Sequence, residues 1–121
     1  MKLENNYYEL ISIHSNGLNS VSHIALRPDC NIYHGHFPHD PICPGVFNIQ
    51  TIKECAERLV NKKLRISCIR QCRLTAVATP ATCPEMDVTV SLQSTEAGYN
   101  ITATIVDATH TYMDYKGEMT V

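Results

Sequence analysis

Three prolines at every third position, Pro38, Pro41 and Pro44, stand directly before a stretch with helical spacing. Each ring fixes φ and removes a backbone donor, so residues 37–44 can be neither helix nor central strand. A stiff, extended loop must therefore run straight into a helix that starts at Gly45. His34, His36 and His39 lie in or beside that loop. A helix N-terminus offers unpaired N–H groups and a partial positive charge. A histidine loop feeding such an end is suited to polarising a carbonyl and moving a proton.

The helix is expected over Gly45 to Val60. Ile49, Ile52, Ala56, Leu59 and Val60 fall on one face at helical period. Lys53, Glu54, Glu57, Arg58, Asn61, Lys62 and Lys63 supply a polar face and a basic end, which suits the dipole. Gln50 sits roughly a third of a turn from the apolar stripe, at about 100° per residue. Glu54 lies one turn on, on the same side. Glu54 and Glu57 read as solvated, or paired with Lys53 and Arg58.

The rest of the chain alternates with period two. Tyr7 to Ile13 and Val21 to Leu26 read as strands around an Asn16-Gly17 turn. Leu64 to Leu74 reads as a long half-buried strand, and Met86 to Leu92 and Tyr99 to Ile105 as two more. The tail, 109–121, is a last strand, in which Tyr112 and Tyr115 are core or interface aromatics. The pattern is α+β, with one helix laid on one face of a curved antiparallel sheet. A length of 121 residues suits one domain, 1–121. A single helix cannot cover both edges of such a sheet, so edge-strand pairing between two chains is expected.

Several function classes fall away. The net charge is −2 and no basic run is long, which disfavours nucleic acid. No apolar run approaches the ~18 residues of a membrane span. The segment Met1 to Asn6 lacks the apolar core of a signal peptide, so a cytoplasmic location is the default. The six cysteines then read as free thiols. Cys68 and Cys72 would lie roughly 13 Å apart along a strand, too far to bridge. Asn100-Ile101-Thr102 is a chance match to the glycosylation triplet. The three loop histidines lack an evident fourth ligand, so neither metal nor cofactor is expected. His14, His23 and His110 receive no role.

His36-Phe37-Pro38, Pro41 and Pro44-Gly45-Val46 at a helix head resemble the signature of hotdog-fold 3-hydroxyacyl-(acyl carrier protein) dehydratases. The matching segments are Gly35-His36-Phe37-Pro38 and Pro44-Gly45-Val46. Only residues 34–50 are motif-specific, although the order of elements agrees over nearly the whole chain. The resemblance implies a hotdog fold, one long central helix wrapped by a curved antiparallel sheet. It implies a lyase that removes water from 3-hydroxyacyl thioesters in fatty-acid or related acyl-chain biosynthesis. The thioester would be carried on acyl carrier protein or coenzyme A, and Arg65, Arg70 and Arg73 are candidates to receive an acidic carrier.

The resemblance also implies residue roles. His36 falls on the catalytic base, the N–H at Gly45 or Val46 on the oxyanion donor, and Phe37 and Pro44 on substrate contacts. It further implies a dimer, homo- or heteromeric, whose sites take the histidine from one chain and the carboxylate from the other. This chain departs from the pattern twice. His39 replaces the usual glycine after His-Phe-Pro, and Gln50 stands where the family has its acid. An amide can orient a water or hydroxyl but has no proton to give. Three readings follow: an altered dehydratase with Glu54 or His39 supplying the proton, a degenerate subunit paired with an active hotdog partner, or an acyl-binding or thioesterase protein.

Overall fold

The computed structural model describes residues 3–5, 7–27, 45–76 and 84–121. The proline-histidine loop, with His34, His36, Phe37, His39 and Pro44, lies outside the described residues. Strands β1 (Tyr8–Asn16) and β2 (Asn19–Leu26) form a hairpin, and the next described element is α1 (Gly45–Val60). Strands β3 (Arg65–Leu74), β4 (Glu85–Ser94), β5 (Gly98–Val106) and β6 (Thr111–Thr120) follow. All six pair antiparallel in one sheet, in the order β1-β2-β4-β5-β6-β3.

Local chemistry sets the ends of these elements. Gly17, at φ 63°, takes the left-handed position of the β1–β2 turn, where a Cβ would be strained. The helix ends on Asn61, also left-handed at φ 54°, in the place glycine usually fills. Lys62 N–H then donates to the Glu57 carbonyl (3.3 Å), and Leu64 N–H to the Glu57 carboxylate (2.8 Å). Glu57 is thus a cap for the end of the helix, a job that the reading of it as a solvated residue overlooked.

The core lies between α1 and the inner face of the sheet. Met86, Val88 and Val90 of β4, Ile101, Ala103 and Ile105 of β5, and Met113, Tyr115 and Met119 of β6 are all buried. Each large apolar side chain buried this way contributes about 1.5–3 kcal/mol. The helix packs on β4 and β2. At 16 residues it is about 24 Å long, a short element rather than a long one. Its buried face is Asn48, Thr51, Ile52, Cys55 and Ala56, while Ile49, Leu59 and Val60 are only partly covered. The apolar stripe is therefore rotated towards small and polar residues. The buried face of β2 likewise mixes small and large side chains: Ser20 and Ser22 are buried beside Ile24 and Leu26.

Strand β3 departs most from expectation. It forms where the alternation placed it, but it is exposed almost from end to end instead of half-buried. It pairs with β6 on one side only and ends the sheet. Two bulges break its register, between Ile66 and Cys68 and between Ile69 and Gln71. Gly117 faces it so closely that a Cβ there would sit 2.3 Å from the Cys68 carbonyl oxygen. Cys55, Cys68 and Cys72 are free thiols, and burial pushes that of Cys55 up to about 12.

Candidate active site at the helix N-terminus

The helix begins at Gly45 with no acidic residue in its first turn. Its positive end is therefore not neutralised by its own side chains, and its first N–H groups have no partner within the helix. Phe47 is held by Tyr7, with the rings edge to face at 5.3 Å. Asn48 is buried, and its Oδ1 accepts a hydrogen bond from the Tyr7 hydroxyl (3.1 Å). The N-terminal segment thus pins the first turn of α1.

Nearly two turns on, Glu54 is the centre of a second and stronger clamp. Its side chain is only 8% exposed. Its carboxylate accepts from Leu3 N–H (2.7 Å), Glu4 N–H (3.0 Å) and the Tyr8 hydroxyl (3.1 Å). It also accepts from Gln50 Nε2 (3.0 Å). Burial first, and then neighbouring groups that include Glu54, push the Tyr8 phenol up, which keeps it a donor. Glu4 turns outward and receives Arg58 through both carboxylate oxygens at 2.5 Å. Glu54 is therefore neither solvated nor paired with Lys53, and Arg58 pairs with Glu4 instead of with its helix neighbours.

This network orients Gln50. A carboxylate is an acceptor, so the end of the amide that faces Glu54 must be the NH₂. Gln50 is half-buried and borders a cavity of about 750 Å³ between α1 and the N-terminal segment. The other walls include Lys53, Glu54, Arg58, Lys62 and Lys63. Such a charged lining suits polar groups, and we assign an acyl chain no place in it.

Of the residues singled out in the sequence, Gln50 and Glu54 are brought into direct contact. Gly45 and Val46 form the start of the helix. His36, Phe37, Pro44 and His39 lie outside the described residues. Sequence reasoning missed the clamp on Glu54, although Tyr7-Tyr8 near the chain start and Gln50 four residues before Glu54 were its visible parts. It also gave His23 no partner. On the outer face of the sheet His23 lies between Asp87 (Nδ1, 2.7 Å) and Glu85 (Nε2, 2.7 Å), which hold its imidazole above its usual range.

Among the described residues, a six-stranded antiparallel sheet with one helix matches a hotdog-like dehydratase fold. A family model described as ApeI-like, ApeI dehydratase, matches residues 12–112. The chain belongs to the ApeI-like dehydratase family. Among solved structures it is similar to the dehydratase heterocomplex ApeI:P from Xenorhabdus doucetiae. The TM-score is 0.78 at 18% identity, over 93% of this chain and 97% of that one. It is also similar to an uncharacterized protein from Erwinia carotovora subsp. atroseptica, with a TM-score of 0.58 at 14% identity, over 93% and 90% of the two chains. No curated protein matches. Among the described residues no helix is long and apolar enough to cross a membrane.

Proposed function

We propose that this chain is a dehydratase acting on 3-hydroxyacyl thioesters, with an activity altered by Gln50 at the position of the family acid. The observation that carries the reading is the family match over residues 12–112. The start of α1 at Gly45, with no acidic residue in its first turn, supports it. His36 takes the proton from the carbon next to the thioester carbonyl. The N–H of Gly45 or Val46 holds the carbonyl oxygen as it gains charge, helped by the helix dipole. The electrons of the broken C–H bond form the new double bond, and the hydroxyl leaves with a proton as water. Phe37 and Pro44 are the further substrate-binding residues of this reading.

Gln50 can accept a hydrogen bond from the leaving hydroxyl through its carbonyl, but the proton must come from another group. Glu54 can supply it only by giving up one of its four bonds. The substrate is carried on acyl carrier protein or coenzyme A, and the protein is a single cytoplasmic domain that works as a pair of chains. The second reading is a degenerate subunit whose partner keeps the carboxylate. Two observations favour it: the Gln50 amide is tied to Glu54, and the similar Xenorhabdus protein is a heterocomplex. The test is a hydration and dehydration assay on the chain alone, with a crotonyl and a 3-hydroxyacyl thioester. Turnover that His36→Ala abolishes supports the first reading, whereas no turnover until a carboxylate-bearing partner is added supports the second.

A further inference from the structure

The first turn of α1 is soft by composition. Gly45 has the freedom of a residue without a Cβ, and Val46 is β-branched, so neither favours a helix. The N–H groups at a helix start have no partner within the helix, so intrahelical bonds fix this turn poorly. A hold from outside has to do so, and Tyr7 supplies one. Tyr7 is fully buried. Its N–H donates to the Leu3 carbonyl (2.8 Å), and its carbonyl accepts from Arg27 N–H (3.0 Å), directly after β2. The backbone of Tyr7 is thus set by the end of the sheet. Its side chain then grips α1 at two adjacent residues. The ring meets Phe47 edge to face at 5.3 Å, and the hydroxyl donates to Asn48 Oδ1 at 3.1 Å. From within the helix, Thr51 Oγ1 donates to the Phe47 carbonyl (2.8 Å). Asn48 and Thr51 are themselves buried.

Phe47 and Asn48 directly follow the two residues whose N–H groups would hold the thioester oxygen. Such a donor stabilises developing charge only when it stands about 2.7–3.1 Å from the oxygen. A misplacement of about 1 Å can cost about 10²-fold in rate. We propose that Tyr7 is a positioning residue of the oxyanion site. It ties the start of α1 to the end of β2, so the Gly45 and Val46 N–H groups stand fixed when the carbonyl oxygen gains charge. Tyr7 acts through Phe47 and Asn48 and needs no contact with the substrate. This rests on the dehydratase reading, and adds what holds that reading's oxyanion donors still.

The test removes a single oxygen. Tyr7→Phe keeps a ring against Phe47 but takes the donor from the buried Asn48 Oδ1, and circular dichroism checks the fold. With crotonyl coenzyme A, kcat for hydration should fall about 10- to 100-fold. KM should stay within about twofold of wild type, because an oxyanion donor acts chiefly in the transition state. Tyr7→Phe combined with Asn48→Leu replaces both polar partners by apolar ones of similar shape. That change restores stability in urea unfolding, but kcat should stay low. A kcat that recovers together with stability overturns the proposal, as does a KM that rises while kcat holds. Infrared spectroscopy reads the same site without turnover. The carbonyl stretch of isotope-labelled crotonyl coenzyme A should move to lower frequency on wild type and move less on Tyr7→Phe. A carbonyl left unshifted by wild type, or shifted equally by the variant, overturns the proposal. A wild type that shifts the carbonyl but turns nothing over sinks the dehydratase reading and leaves the role of Tyr7 standing.

Discussion

Two regions of the sheet contrast sharply, the helix-covered pair β2–β4 and the edge strand β3; the other edge, β1, is largely exposed as well. At β2 and β4 the chain finishes its own structure. The helix lies on both strands, its own Ile52 is fully buried, and Glu54 ties helix and N-terminal segment together. At the β6–β3 end the sheet continues but its cover does not, and Ile69 keeps 48% of its surface in contact with solvent. The same residue type thus serves two ends: Ile52 holds this fold, and Ile69 waits for something else.

The largest effect is expected at the covered end, where the site begins. Gln50→Glu should raise dehydratase turnover by something like the 10² to 10⁴-fold typical of a positioned general acid. The new carboxylate would stand where the amide now meets Glu54 at 3.0 Å. Two carboxylates so close cannot both ionise easily, which keeps a proton available near neutral pH. A flat response in a variant that folds and pairs would mean either that another group, Glu54 first, is the acid, or that the site no longer binds the substrate. Loss of wild-type turnover in Glu54→Gln would then choose the first.

Glu54→Ala removes the acceptor shared by Leu3, Glu4, Tyr8 and Gln50. Stranding buried donors costs about 1–3 kcal/mol, and bonds to a charged group lie at the upper end, so a loss of about 3 kcal/mol is expected in urea unfolding. A loss below about 1 kcal/mol, of the order seen at plain surface sites, would show that the N-terminal segment is not anchored through this side chain.

The isoleucine pair tests the comparison itself. Ile52→Ala should cost about 2–5 kcal/mol in the isolated chain, as other buried Ile→Ala changes do. Ile69→Ala should cost less than about 0.5 kcal/mol in the same experiment. Its effect should appear only as weaker association with a partner strand. Equal losses in the isolated chain would mean that β3 is covered from within, and the contrast between the two ends would collapse.

The sheet and helix were legible because their periods are local. Val88, Val90 and Leu92 alternate as a half-buried strand must, and the helix runs over the residues its spacing marked, Gly45–Val60. What the sequence hid depends on neighbours. Ile66, Cys68, Cys72 and Leu74 alternate as well as any buried strand, but no period says whether a cover exists. Glu54 looks like any helix-surface acid until Tyr8 and the backbone at Leu3 arrive from some fifty residues away. Of the candidate site, Gln50 and the helix start could be located, while His36 lies outside the described residues.

The smallest expected effect lies on the outer face of the covered end, at His23. Asp87 and then Glu85 hold its imidazole above the usual value of 6.5. A group whose folded pKa is raised binds its proton more tightly when folded, so its contribution is fully present below the unfolded value, near pH 6.5. That contribution is lost as pH climbs through the raised folded value. The imidazole is partly open to solvent, so the ion pairs should be worth only a few tenths of a kcal/mol. Urea midpoints for wild type and His23→Gln should therefore differ at pH 6 and converge by pH 9, and raising the salt should shrink the gap at pH 6. A gap that stays constant with pH would assign the role of His23 to packing between β2 and β4 rather than to its charge.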